Sequence, residues 1–211
     1  MTMEMSKDLT ISLPEGYASG TQTYALLLSL DPVLPAAEIA TRLREEGLMP
    51  PLIVAVRAEG SNADAASLLE RLTVSHRILE APQARWICGA GHSAAEALRF
   101  VLDHPDLAGR AACLSTSFEG AEGAPPLHSR LLRELEERVD LPAGVKLFLD
   151  YGTIGLDECY EPYHRDAGAI FRMKGWLDDR EFRITRTIGG SHDPASWSDR
   201  LSPALCWLAE R

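Results

Sequence analysis

Short, strongly apolar segments alternate with amphipathic segments along the chain, and this alternation limits the folds that it can adopt. YALLLSL (24–30) and LIVAV (52–56) have almost no polar positions, as strands buried on both faces of a parallel sheet do. We predict strands at 9–14, 24–30, 52–56, 85–90, 110–118, 145–152 and 181–190, and helices at 36–47, 64–74, 94–103, 128–139, 161–175 and 195–211. This order predicts an α/β fold with a mostly parallel central sheet and helices on both faces.

The composition indicates one soluble globular domain. Of the 211 residues, 45% are hydrophobic and 25% are charged, so we expect a single domain over residues 1–211 without a separate cap domain. The net charge of −10 disfavours nucleic acid and anionic membranes as partners. The first ten residues lack the apolar core of a signal peptide, and Cys88, Cys113 and Cys206 lie in apolar runs that suit buried free thiols. We therefore expect a cytoplasmic protein.

Three of the predicted strands are followed by residues that can carry chemistry. RWICGA runs into the small-residue turn GAGHSAA, VKLFLDYG is followed by Asp157 and Glu158, and EFRITRTIGG is followed by His192. Because the carboxyl ends of parallel strands meet at one edge of a sheet, we expect these groups to converge. A histidine there can take a proton from a nucleophile in the turn, and a carboxylate can orient the histidine. The spacing favours Asp157 over Glu158, and Asp193 follows His192 too closely to orient it.

Two of these segments resemble a known group of enzymes. RWICGAGHSAAEALRFVLDHPDLAGRAACLSTSF (85–118) and GGSHDPASWSDRLSPALCWL (189–208) are similar to the α/β-hydrolase branch that includes esterase D, enterochelin esterase and feruloyl esterase. The resemblance covers roughly residues 9–208. It implies the α/β-hydrolase fold and hydrolysis of a small carboxylic ester by a Ser/His/Asp-type mechanism. It further implies that His192 is the catalytic base and Asp157 its acid partner.

The turn after the strand RWICGA departs from the pattern of that branch and allows two alignments. The flanking residues place Gly91 where the nucleophilic serine belongs, which would leave the chain without a nucleophile. The alternative reads Gly-His-Ser-Ala-Ala as the nucleophile elbow and makes Ser93 the nucleophile. This second alignment shifts the turn by two residues relative to its flanks, so we favour Gly91. An engineered replacement of serine by glycine would give the same sequence.

The resemblance also implies an oxyanion hole, formed by two backbone N–H groups that bind the charged oxygen of the reaction intermediate. In the Gly91 alignment the first N–H belongs to His92. The second comes from the loop LDPVLP, in which Pro32 has no N–H and Val33 does.

Two functions therefore stay open. The first is a serine esterase with Ser93, His192 and Asp157. The second is a relative without a nucleophile that binds a ligand or uses only the His192–Asp157 pair. We expect no metal and no cofactor, because histidines and cysteines lack ligand spacing and the glycine-rich turn lacks the third glycine of a dinucleotide site. The expected partner is a small ester or acyl ligand, and the sequence carries no signal of the oligomeric state.

Overall fold

The computed structural model describes residues 2–118 and 129–210, whose strands form one eight-stranded sheet in the order β1-β2-β4-β3-β5-β6-β7-β8. The strands are β1 (Thr2–Met5), β2 (Leu9–Leu13), β3 (Ala25–Ser29), β4 (Leu52–Arg57), β5 (Arg85–Ala90), β6 (Arg110–Leu114), β7 (Lys146–Ile154) and β8 (Phe182–Ser191). The helices are α1 (Ala36–Glu45), α2 (Ala65–Ser75), α3 (His92–Asp103), α4 (Arg130–Glu137), α5 (Glu161–Met173) and α6 (Pro194–Ala209). Every pairing from β4 to β8 is parallel, which confirms the predicted mostly parallel sheet.

The helices cover both faces of the sheet. On one face α2, α3, α4 and α5 pack with residues such as Leu98 and Phe171, and on the other α1 and α6 pack with residues such as Ile39 and Leu201. Strand β3 is buried at every position, which agrees with its apolar sequence before the polar Ser29 at its end. None of the helices in 2–118 and 129–210 has the length and apolar character needed to cross a bilayer.

The elements differ from the predicted ones mainly at their ends. Strand β6 stops at Leu114 rather than at 118, because Ser115 adopts a positive φ of 44°. Strand β7 continues to Ile154 because it pairs with β8 across an irregularity at Gly152. Helix α3 begins at His92, two residues earlier than predicted.

Strand β1 was not predicted. It pairs antiparallel with β2 at the edge of the sheet, and all four of its residues are exposed. Such a strand buries no apolar face, so it leaves no alternation in the sequence. The predicted first residues of the helix at 128–139 include His128, which lies outside the described residues. The single domain over 1–211 without a cap stays a prediction.

The turn between β5 and α3 is built on a close approach of the two backbones. A Cβ atom on Gly89 would lie 2.5 Å from both the carbonyl carbon and the oxygen of Ser93. Gly89 has no positive φ, so its need for glycine is purely steric. This contact fixes where the first turn of α3 sits above the end of β5, and so fixes the position of Gly91 between them.

We predict that Gly89→Ala lowers the free energy of unfolding by at least about 3 kcal/mol, the upper end of ordinary overpacking, because the clash is with backbone atoms. The matched control is Gly20→Ala, whose added Cβ has one neighbour within 4 Å, the Gly16 carbonyl oxygen at 3.2 Å. Urea unfolding followed by circular dichroism measures both. Equal unfolding midpoints for the two variants would contradict the close approach.

Candidate active site

Gly91 forms the tip of the turn between β5 and α3. Its backbone has φ 57° and ψ −117°, and its N–H donates to the carbonyl oxygen of Leu114 at 2.9 Å. A Cβ atom built on Gly91 would lie 3.4 Å from Nε2 of His192 and 3.6 Å from its Cε1. Any side chain at this position would therefore point at the imidazole ring of His192.

His192 follows β8 directly and is oriented by three neighbours. Its Nδ1 lies 2.8 Å from Oδ1 of Asp157, and the rings of Trp197 and Tyr160 meet it edge-on at centroid distances of 4.9 and 5.7 Å. An ionised carboxylate only accepts hydrogen bonds, so Nδ1 carries the proton and Nε2 is left as a base. About a fifth of the His192 side chain is exposed, so the base is open to a ligand.

Asp157 is fully buried in the 3₁₀ helix Gly155–Tyr160, between β7 and α5. Its Oδ2 accepts hydrogen bonds from the Ser115 hydroxyl at 2.5 Å and from the Gly152 N–H at 2.8 Å. Nη2 of Arg200 lies 3.1 Å from the same oxygen. Burial alone would raise the pKa of Asp157, but the hydrogen bonds from His192, Ser115 and Gly152 outweigh it and hold the pKa below its ordinary value.

A second buried carboxylate lies beside the first. Oδ1 of Asp150 is 3.2 Å from Nη1 of Arg200 and accepts the Ser115 N–H at 3.0 Å. Burial raises the pKa of Asp150 to about 6; Arg200 opposes the rise and the charge of Asp157 adds to it. One buried guanidinium thus serves two buried carboxylates.

Ser93 lies in the first turn of α3, two residues beyond the tip. Its hydroxyl donates to the carbonyl oxygen of Leu30 at 3.3 Å, and Nη2 of Arg57 is 3.5 Å from the same hydroxyl. The structure therefore brings Gly91 to His192, while the Ser93 hydroxyl is directed at the end of β3. Ser93 packs against Gly89, because a Cβ atom built on Gly89 would lie 2.5 Å from the Ser93 carbonyl group.

The two expected oxyanion donors differ in their surroundings. The Val33 N–H donates to Oδ1 of its neighbour Asp31 at 3.1 Å, so this donor is engaged locally. His92 is the first residue of α3, where a backbone N–H has no acceptor within the helix and the helix dipole favours negative charge. The His92 side chain is exposed.

The other candidates have local roles. Glu158 is exposed, whereas Asp157 beside it is buried against His192. Asp193 caps α6, and its Oδ1 accepts the Ser196 N–H at 3.0 Å. Within residues 2–118 and 129–210, no three or more His, Cys, Asp or Glu side chains converge as metal ligands would.

Sequence reasoning missed Asp150, Ser115 and Arg200. One signal was present, because Asp150 ends the apolar run VKLFL and a charge there is unusual in a buried strand. Ser115 and Arg200 are 85 positions apart, and no spacing in the sequence relates them, so only the fold brings them together.

Comparison with known proteins identifies the architecture. The protein-family models searched contain no match to the chain, and the curated proteins contain none either. Among solved structures, a ferulic acid esterase matches with a TM-score of 0.75 at 16% identity, covering 99% of this chain and 96% of that one. The chain has the α/β-hydrolase fold. This confirms the fold that the resemblance implied.

Two further α/β-hydrolase-fold structures are similar to the chain. S-formylglutathione hydrolase from Staphylococcus aureus matches with a TM-score of 0.69 at 15% identity, over 96% of this chain and 92% of that one. Ferric enterobactin esterase from Salmonella typhimurium matches with a TM-score of 0.74 at 17% identity, over 95% of this chain. The chain spans about half, 53%, of that esterase's length.

The raised pKa of Asp150 predicts a pH-dependent stability difference between the protein and Asp150→Asn. From the ordinary value near 4 up to about 6, the folded protein holds this proton more tightly than the unfolded chain. Asp150 therefore makes the free energy of unfolding fall as pH rises through that window, by at most about 1.4 kcal/mol per pH unit. Asp150→Asn lacks this loss, so its stability relative to the protein should increase between pH 4 and 6 and level off above.

Urea unfolding at pH 4, 5, 6 and 7 measures the difference. Asp106→Asn, at an exposed position, controls for the loss of one negative charge. A relative stability of Asp150→Asn that decreases with pH over this window would show that Arg200 outweighs burial.

Proposed function

We propose that the protein binds a small carboxylic ester and hydrolyses it with water, using His192 as general base and Asp157 as its orienting carboxylate. The observation that carries the proposal is the position of Gly91, whose missing side chain would face Nε2 of His192 at 3.4 Å. Glycine has no hydroxyl to form an acyl-enzyme. The base and its partner, at 2.8 Å, are nevertheless in place.

The reaction needs only groups that the site offers. Nε2 of His192 takes a proton from water while the water oxygen bonds to the ester carbonyl carbon, which forms a tetrahedral oxyanion. We assign the His92 N–H, at the N-terminus of α3, as the donor to that oxyanion. The intermediate then expels the alkoxide, which takes the proton back from His192, and the products are a carboxylic acid and an alcohol.

Support for an ester as substrate comes from the similar structures, which are named as esterases or as an S-formylglutathione hydrolase. Serine hydrolases without one triad member keep about 10³–10⁴-fold acceleration over water. We therefore expect slow turnover. The free thiols Cys88, Cys113, Cys159 and Cys206 support a reducing, cytoplasmic location. The net charge of −10 supports a small-molecule ligand rather than nucleic acid or a membrane.

A second candidate is ligand binding without turnover. The observation that favours it is the Val33 N–H, which donates to Asp31 at 3.1 Å instead of facing the site as a second oxyanion donor. Loss of one such donor costs about 10²–10³-fold in turnover.

The two candidates are separated by hydrolysis of a short activated ester, p-nitrophenyl acetate, under steady-state and pre-steady-state conditions. We expect slow turnover without an initial burst, lost in His192→Ala and unchanged in Ser93→Ala. His104→Ala, which removes an exposed imidazole, controls for non-specific catalysis. Turnover that survives in His192→Ala would not use the proposed base. Ligand binding without turnover would then be the remaining candidate for this site.

Gly91→Ser should raise turnover by about 10³-fold or more, because it restores a covalent nucleophile beside an existing base. A serine-directed fluorophosphonate should label Gly91→Ser at position 91 and leave the unchanged protein unlabelled. Peptide mapping by mass spectrometry locates the label. Labelling of the unchanged protein at Ser93 would overturn the water mechanism in favour of the Ser93 alignment.

A further inference from the structure

Arg200 lies on the inner face of α6 and connects both halves of the His192–Asp157 pair. Only 4% of the residue is exposed. Its Nη2 lies 3.1 Å from Oδ2 of Asp157 and donates to the carbonyl oxygen of Ser191 at 2.9 Å. Ser191 immediately precedes His192. One nitrogen atom therefore contacts both the carboxylate and the backbone that carries the imidazole.

Ser115 supplies the second link, and its hydrogen bonds have a fixed direction. The hydroxyl oxygen accepts from Nη2 of Arg200 at 2.8 Å and from Nε1 of Trp197 at 2.9 Å. A hydroxyl has one proton and two acceptor sites, and both acceptor sites are now used. The proton is therefore directed to Oδ2 of Asp157, 2.5 Å away.

These contacts give the two oxygens of Asp157 different partners. Oδ2 is occupied by the Ser115 hydroxyl, the Gly152 N–H and the Arg200 guanidinium, which all favour the ionised carboxylate. Oδ1 is left to face Nδ1 of His192 at 2.8 Å. The carboxylate can neither rotate nor take up a proton without breaking several buried hydrogen bonds.

We propose that Arg200 and Ser115 are positioning residues that hold Asp157 ionised and fixed, so that His192 keeps its proton on Nδ1 and its lone pair on Nε2. Neither residue lies within 4 Å of a Cβ atom built on Gly91, whose neighbours at that distance are Nε2 and Cε1 of His192. This inference deepens the proposed function and rests on it for the role of His192 as a base. The tautomer of His192 is, however, a property that can be measured without any turnover.

Stability alone does not explain the arrangement. A buried ion pair contributes little net stability compared with apolar residues of the same volume. Here one guanidinium is shared between two carboxylates and a buried negative charge remains, which raises the cost of burial further. Arg200 contacts both Asp157 and the residue before His192. These two contacts fix the carboxylate and the backbone of the imidazole relative to each other, as orientation of the pair requires.

The experiment is ¹⁵N NMR of the imidazole nitrogens in histidine-labelled full-length protein, with His192 assigned from His192→Ala. We expect one dominant Nδ1–H tautomer in the unchanged protein. In Ser115→Ala and Arg200→Met the shifts should move toward the tautomer mixture of an unrestrained histidine. Arg200→Lys, which retains the cation, should retain more of the Nδ1–H form than Arg200→Met.

The control is Arg110→Met. Arg110 is the first residue of β6 and donates to the carbonyl oxygen of Leu208 on α6. It therefore links β6 to α6 at the end of β6 opposite to Ser115. Arg110→Met should lower the stability of the protein without changing the tautomer of His192. If Arg200→Met does not fold, Ser115→Ala decides, because that variant leaves every charge in place. An unchanged tautomer in folded Ser115→Ala and Arg200→Met would overturn the proposal.

A kinetic readout in the Gly91→Ser background separates this inference from the proposed function. Ser115→Ala there should lower kcat by about tenfold or more with little change in KM, within the about 10⁴-fold loss that a wrong tautomer causes in a serine protease. If the tautomer shifts but no variant hydrolyses esters, the positioning role stands and the proposed function falls. If His192-dependent hydrolysis is found and the tautomer never shifts, the proposed function stands and the positioning role falls.

Discussion

The site depends on the contact between the backbone of β5 at Gly89 and the first turn of α3 at Ser93. With a Cβ at Gly89 the two backbones would collide at 2.5 Å, so strand and helix meet this closely only because that atom is missing. The contact forces the chain to reverse within Ala90 and Gly91. It thereby carries the tip of the turn out of the sheet and toward His192, and it directs the Ser93 hydroxyl into the protein.

The carboxylate of Asp157 is held by hydrogen bonds and by an ion pair rather than by apolar packing. The cluster of Asp150, Asp157, Ser115 and Arg200 lies beneath the imidazole, where β6, β7, α6 and the 3₁₀ helix Gly155–Tyr160 meet. In this cluster almost every polar atom has a specific partner, as buried polar groups require. A network of this kind has few alternative arrangements, so it defines one orientation of the carboxylate. The carboxylate in turn orients the imidazole of His192 through the contact between Oδ1 and Nδ1.

The sequence was informative where a single segment carries the signal. Strand β3 is buried along its whole length, and helix α3 places Ala94, Leu98 and Val101 on one buried face, so both could be recognised from spacing. His192 and Asp157 could be placed because each follows a strand in a parallel sheet. By contrast, β1 buries nothing, and the partners of Asp157 come from positions 115, 152 and 200, which no local pattern relates. At the turn the flanking residues favoured Gly91 as the nucleophile position, and the small residues around Ser93 supported the alternative; in the structure Gly91 forms the tip and Ser93 packs against Gly89.

The glycine at the tip also changes the energetics of the turn itself. A residue with a Cβ held at φ 57° and ψ −117° carries backbone strain of about 1–3 kcal/mol, which glycine avoids. Small domains have a total stability of only about 5–15 kcal/mol, so this saving is a substantial fraction of it. A serine at position 91 would therefore lower the stability of the fold at the same position where it could supply a nucleophile. Glycine at position 91 therefore gives this turn its shape at a lower conformational cost than any residue with a side chain would.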